Sequence, residues 1–152
     1  MNYSPRETAN HMPPRIDFVL RELTAADYDT ALALWNSAPG VRANEPRDEF
    51  ERILARNSGL STAAWIGAEL AGAVLCCHDG RRGYLYHLAV AEKFRRQGIA
   101  RAIVDHCLSL LKAAGIQRCT IFLVADNDAG KTFWLNHGWF ERTDLVAFAR
   151  DL

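Results

Sequence analysis

Two apolar runs flank one strongly amphipathic helix, and that arrangement constrains the fold more than any other feature of the chain. From Gly98 onward, Ile99, Ile103, Cys107, Leu110, Leu111 and Ala114 fall on one helical stripe, with Arg101, Asp105 and Lys112 opposite and Gly115 as a stop. Before the helix lies "YLYHLAV" (Tyr84–Val90) and after it "CTIFLVA" (Cys119–Ala125), both of strand composition. A strand, a helix and a strand in that order bring the two strands together in parallel, with the helix packed over the sheet. The second run is apolar throughout, the pattern of a strand buried on both faces.

Upstream the organisation changes. "STAAWIG" and "LAGAVLCCH" meet at a tight turn near Gly67-Ala68-Glu69, and "DGRRG" returns the chain into "YLYHLAV", so three strands form an antiparallel meander. Earlier still, "IDFVLREL" from Ile16 reads as a strand, followed by the N-cap pattern Thr24-x-x-Asp27 and by Tyr28, Ala31, Leu32 and Trp35 at helical spacing. After the turn-forming Asn36–Gly40, Pro46 opens a second helix carrying Phe50, Ile53 and Leu54, which Asn57-Ser58-Gly59 ends. Beyond Ala125 the pattern predicts a short helix containing Lys131–His137 and a closing strand or hairpin within "WFERTDLVAFARDL". The expected organisation is a tail over Met1–Arg15 and a single mixed α/β domain over residues 16–152.

Composition narrows the function. With 152 residues, 49% hydrophobic, 24% charged and a formal net charge of zero, the chain is an ordinary globular domain. It lacks the basic excess of a dedicated nucleic-acid binder. Cys76, Cys77, Cys107 and Cys119 have no C-x-x-C spacing and read as buried thiols of a reducing cytosol. His11, His78, His87, His106 and His137 have no zinc spacing, so no metal site is expected. No run approaches the roughly 20 apolar residues of a membrane span, and Met1–Arg15 lacks the apolar segment of a signal peptide. A cytoplasmic protein without membrane or nucleic-acid partners is expected.

Two stretches compete as phosphate sites. "VADNDAGKTFWLNHGW" (Val124–Trp139) nearly spells a P-loop, but Ala125 replaces its first glycine, and Asp126 and Asp128 would repel a triphosphate. "AEKFRRQGIAR" is the better candidate. Gly98 and Ala100 keep its backbone open to an anion, the helix N-terminus adds its dipole, and Lys93, Arg95, Arg96 and Arg101 surround it against Glu92 alone. A solvated basic turn would carry the cations without small residues at fixed offsets after a buried strand. The combination points to a ligand bearing a pyrophosphate.

These residues resemble the GNAT acetyltransferase superfamily. Its pattern (Arg/Gln)-x-x-Gly-x-(Gly/Ala) is met by Arg95-Arg96-Gln97-Gly98-Ile99-Ala100, and its second signature by Asn127 and Gly138-Trp139. The resemblance covers about Ile16–Leu152, and "DGRRGYLYHLAV" looks most like a branch of small bacterial members. It implies a three-layer fold: a mixed, mostly antiparallel sheet with helices on both faces and a parallel splay between the fourth and fifth strands. It also implies acetyl-CoA as cosubstrate and direct transfer to a primary amine of a small molecule or a protein. By the same resemblance the backbone of Leu88, Ala89 and Val90 would bond the pantetheine arm. Arg95, Arg96, Gln97, Gly98, Ile99, Ala100 and Arg101 would hold the pyrophosphate, Asn127 would bond the cofactor near its pantetheine portion, and the helix from Asn127 to Gly138, with Trp134, would line the thiol end. A homodimer is open by analogy.

The chain departs from the family at the proton-handling positions. The glutamate that often serves as base falls on Tyr84 and Phe122, and Trp134 replaces the tyrosine that commonly protonates the leaving thiolate. An indole N–H is a hydrogen-bond donor without useful acidity. His87, and with it Tyr84, are the catalytic candidates left on the strand leading to Leu88–Val90. The missing groups also motivate a different reading, a catalytically weak acyl-CoA-binding or regulatory module. Arg42, Asn44 and Glu45 in "NSAPGVRANEP" are as compatible with solvent as with substrate.

Overall fold

A computed structural model describes residues 15–152. The expected tail, Met1–Arg15, lies outside the described residues apart from Arg15. Strands β1 (Val19–Glu22), β2 (Thr62–Ile66), β3 (Glu69–His78), β4 (Gly83–Val90) and β5 (Cys119–Ile121) lie in that order in one sheet. The first four are antiparallel neighbours, and β4 and β5 are parallel. Helices α1 (Tyr28–Ser37) and α2 (Arg47–Arg56) cover one face, while α3 (Ile99–Ala113) and α4 (Asp128–Asn136) cover the other. The layered architecture and the parallel pair are as expected.

Each face has its own core because the central strands are apolar on both sides. Leu23, Trp35, Phe50 and Leu75 are buried on the α1 and α2 side; Val74, Cys76, Leu85, Ile103, Cys107 and Leu111 are buried on the α3 side. Burying one such aliphatic side chain contributes about 1.5–3 kcal/mol, so the α3 stripe stabilises the crossover it was expected to form. Thr24 donates its backbone N–H to Asp27 at 2.9 Å, which starts a short 3-10 turn leading into α1. In α1, Leu34 is more deeply buried than Leu32.

Two expectations fail at the right-hand edge of the sheet. "CTIFLVA" pairs over only Cys119–Ile121, those residues are half-buried, and Phe122 is 65% exposed. The cause is geometric: β5 is an edge strand, with a neighbour on one side only. "WFERTDLVAFARDL" forms no strand, because within one chain no sheet edge is paired with it.

That short ladder creates the site. β4 pairs with β5 at Gly83, Tyr84 and Leu85, facing Cys119, Thr120 and Ile121. From Tyr86 to Val90, β4 continues without a partner on that side. A gap therefore opens between the two strands.

Candidate active site

The gap is the floor of a cleft of about 980 Å³. Its walls come from the end of β4, the loop into α3, the residues after β5, α4, and the α1–α2 loop around Pro39–Arg42. No cysteine lines it. Burial pushes the Cys119 thiol, outside the cleft, up to about 12 and raises that of Cys77 as well. Neither is available as a thiolate nucleophile.

β4 is bulged where it leaves its partner. Leu75 faces Tyr86, and two residues back along β3, Ala73 faces Ala89, three residues on along β4. The extra residue falls at His87, whose φ of 59° is left-handed. This re-aims the imidazole into the cleft lining, and Leu88 follows it there. Nothing in the strand composition signals the bulge, since no glycine marks it.

His87 Nε2 lies 2.9 Å from Glu45 Oε2, and both side chains are largely buried, at 18% and 16% exposed. Glu45 is fixed in turn: its backbone carbonyl accepts the Tyr28 hydroxyl at 2.7 Å, and Pro46 follows it at the start of α2. Trp35 supports the other side of the imidazole, 5.3 Å between ring centres. With Nε2–H donated to the carboxylate, Nδ1 presents its lone pair. It has no hydrogen bond among the described residues. The sequence left Glu45 as compatible with solvent as with substrate; its pairing with His87 is what sequence reasoning missed. Glu45 is 42 residues from His87, and no spacing rule links the two.

Tyr84, the other catalytic candidate, is not in the cleft lining. Its ring stacks on Phe122, 6.4 Å apart with 8° between planes, and on Tyr86 at 6.3 Å. Tyr86 does line the cleft, and burial raises its phenol above the ordinary range, so it remains protonated.

The loop before α3 has the features of an anion cradle. The backbone N–H groups of Gln97 through Arg101 have no acceptor among the described residues, and the first helical bond is made by Ala102 to Gly98 at 3.0 Å. Gly98 has φ 81° and Arg96 φ 62°. At Gly98 a Cβ would meet nothing within 4 Å. The cations are less uniform than their spacing implied. Arg95 spends its Nε on the Val90 carbonyl at 3.1 Å, Lys93 pairs with Glu69, and Arg101 lies 3.6 Å from Asp105. Arg95, Arg96, Gly98, Ile99, Ala100 and Arg101 all line the cleft, as do Leu88, Ala89 and Val90. Gln97 does not, and its Oε1 is buried without a partner.

Asn127 is the N-cap of α4, its Oδ1 accepting the Gly130 N–H at 2.9 Å. That oxygen is occupied by the helix. Its Nδ2 faces Gly40 across the cleft mouth, where a Cβ would come within 2.3 Å. Gly40 also has φ 75°. Gly40→Ala is therefore expected to cost about 2–3 kcal/mol, a left-handed penalty of about 1–2 plus a lost cap of about 1. Urea unfolding reads it; a loss below 0.5 kcal/mol would show that Asn127 yields freely.

Trp134 is buried, edge-on to Trp139 at 4.7 Å and to Phe133 at 5.1 Å, with part of its surface in the cleft wall. It is held by packing and offers no hydroxyl. His137 also lines the cleft, and its Nδ1 is 2.6 Å from the Phe133 carbonyl.

The arrangement thus joins an anion cradle, an unpaired strand edge and a carboxylate-bound imidazole in one cleft. A model of the acetyltransferase (GNAT) family matches residues 27–139. The chain belongs to this family. An acetyltransferase of Pectobacterium atrosepticum is 33% identical over 104 residues, spanning 68% of this chain and 74% of that protein. Among solved structures, Ard1 from Thermoplasma volcanium superposes with a TM-score of 0.72 at 17% identity, covering 80% of this chain and 81% of the other. The PaiA N-acetyltransferase from Thermoplasma acidophilum in complex with coenzyme A gives 0.69 at 15% identity, covering 80% and 88%. At such identities the structures establish the fold. The five-stranded sheet with its parallel β4–β5 pair matches that fold.

Proposed function

We propose that this GNAT enzyme transfers the acetyl group of acetyl-CoA to a primary amine, of a small molecule or a protein, with His87 as the base and Glu45 holding it. The observation that carries the reading is the continuity of the cleft, from the free N–H groups before α3 to the imidazole at the bulge. The coenzyme A bound to the similar PaiA enzyme supports it. Acetyl-CoA supplies a thioester, whose carbonyl carbon is the electrophile.

The chain's own groups then have separable tasks. The Gln97–Arg101 backbone and the α3 dipole hold negative charge, with Arg96 beside them. The unpaired edge of β4 offers hydrogen-bonding groups to an extended arm, much as a missing strand would receive them. The amine nitrogen forms its bond to the carbonyl carbon, the carbon–sulfur bond breaks, and the amine's excess proton passes to His87 Nδ1. Glu45 stabilises the imidazolium through Nε2–H, as a carboxylate does in a nucleophile–His–Asp arrangement. The departing thiolate, the conjugate base of a thiol of pKa near 8.5, takes its proton from solvent. With no cysteine in the cleft, attack is direct and no acyl-enzyme forms.

Free-thiol release from acetyl-CoA across a panel of primary amines tests the proposal. Turnover with at least one amine is expected. A rise in Tm with acetyl-CoA and no turnover with any amine would favour the acyl-CoA-binding module, and no rise at millimolar concentration would remove both readings. Gly98→Val is expected to weaken acetyl-CoA binding by about ten- to a hundredfold, or about 1.4–2.8 kcal/mol. A branched side chain is strained at φ 81° and would project into the cradle. Calorimetric titration gives the affinity; a change below threefold would place the anion elsewhere.

A further inference from the structure

The side chains around the cleft are one-sided in charge. Arg42, Arg95, Arg96 and Arg101 line it with His87 and His137, and among the described residues no aspartate or glutamate does. Two of the arginines are engaged: Arg95 Nε donates to the Val90 carbonyl at 3.1 Å, and Arg101 lies 3.6 Å from Asp105. Arg42 and Arg96 make no ion pair among the described residues. Arg96 belongs to the cradle before α3. Arg42 belongs to the other end, between Gly40, which abuts the Asn127 side chain, and Glu45, whose carboxylate is 2.9 Å from His87 Nε2. Three residues of chain span at most about 11 Å, so the Arg42 backbone lies within that distance of the residue that holds the base. The loop fixes it there. Val41, Ala43 and Glu45 are half-buried and alternate with exposed Arg42, Asn44 and Pro46, the two-residue period of extended chain. Val41 and Ala43 pack on the core beneath α1 and α2, which leaves Arg42 to the cleft wall.

We infer that the acceptor is a small amine that itself carries a carboxylate, an amino acid or a close derivative, and that Arg42 binds that carboxylate and so sets specificity. The inference rests on the proposed acetyl transfer and names the class of its acceptor. The planar guanidinium meets both oxygens of a carboxylate at once, in charge-assisted hydrogen bonds stronger than those of a neutral pair. With the carboxylate held on Arg42, an amine a few bonds away is turned back toward His87 Nδ1, and its nitrogen faces the thioester lying along the β4 edge. Tyr86 lines the same end, its ring 6.5 Å from that of His87, and its protonated hydroxyl is a further donor there. The charge of the cleft also rejects the alternative acceptors. A zwitterion brings an anion to an arginine that has none, whereas a diamine or an aminoglycoside brings further ammonium groups to walls that present no carboxylate to them. Glu45 does not serve that purpose, because it is outside the lining and holds His87.

Binding is read first, without chemistry, by calorimetric titration of acceptors into the protein saturated with coenzyme A; turnover is read second, as free-thiol release from acetyl-CoA. The probes are amino acids, each beside its own carboxamide, and γ-aminobutyrate beside the four-carbon diamine, pairs that keep an amine and differ in the anion. In at least one pair the acid is expected to exceed its partner by about ten- to a hundredfold in affinity and in kcat/KM, the range of a charge-assisted hydrogen-bonded pair. Arg42→Gln should raise KM for that acid by about tenfold or more with kcat within threefold, because the carboxylate is held equally before and during transfer. The preference within the pair should shrink below threefold in Arg42→Gln and return in part in Arg42→Lys. Both variants should keep their acetyl-CoA affinity within threefold, which shows that they are folded. Affinity for the acid that Arg42→Gln abolishes, without thiol release, would support the carboxylate site while the acetyl-transfer reading falls. Thiol release with the diamine or the carboxamides as fast as with the acids, or an acid preference unchanged in Arg42→Gln, would overturn the inference and leave acetyl transfer standing. Neither binding nor turnover of any acid would overturn it as well.

Discussion

His87→Asn is expected to lower kcat for amine acetylation by about 100- to 1,000-fold while leaving the acetyl-CoA affinity within threefold. A positioned general base contributes about 10²–10⁴ in rate, and His87 is the titratable group at the bulge with a free nitrogen in the cleft lining. Asparagine is the informative replacement because it tolerates the left-handed φ of 59°, which alanine would not. Loss of rate with an unchanged Tm then reports chemistry rather than backbone collapse. The affinity for acetyl-CoA should hold because the Gln97–Arg101 cradle is elsewhere on the cleft. Glu45→Gln should follow in the same direction with a smaller loss, about tenfold, since an amide keeps a hydrogen bond to Nε2 but cannot stabilise the imidazolium. A kcat within threefold of the parent enzyme would remove His87 as the base.

Trp35→Ala should destabilise the fold by about 3–5 kcal/mol, the range for truncating a large aromatic in a core. Trp35 is fully buried, edge-on to Phe50 at 6.1 Å, and its Nε1–H reaches the Ala73 carbonyl at 3.4 Å. Truncation leaves a cavity and removes the donor from a buried carbonyl, two separate costs. Against a typical total of about 5–15 kcal/mol, this leaves a marginal protein, and urea unfolding at 25 °C measures it. The expected companion effect is functional: at 5.3 Å from the His87 ring, Trp35 is part of what holds the imidazole against Glu45. Residual folded enzyme should therefore show a lower kcat. A loss under 1.5 kcal/mol would mean the core collapses around the gap.

The parts of this molecule that were legible in its sequence are those set by local periodicity. The α3 stripe, the meander turns and the small residues at Gly98 and Ala100 each follow from neighbours within about ten positions, and they lie where that pattern put them except that Val104 is buried and Ala114, just past the helix, is exposed. The glutamate–histidine pair was not legible, because its two halves come from a loop and a strand brought together only by the packing of Trp35 and Tyr28. The role of Asn127 was read from a motif, whereas the structure shows its oxygen committed to capping α4. Over Cys119–Ala125 the apolar run reads as a doubly buried strand; composition cannot tell a strand covered on both faces from one at the open edge of a sheet.

Among the described residues, two non-glycine residues have a left-handed backbone, His87 and Arg96, and both are in the cleft lining. Each conformation costs about 1–2 kcal/mol relative to glycine, against a typical net stability of about 5–15 kcal/mol for a globular protein. Glycine at either position would relax the chain and delete a side chain that lines the cleft and carries a role in the proposed reaction. Stability and activity therefore pull in opposite directions at these two residues, and a thermostabilised variant selected for folding alone should lose one of them first.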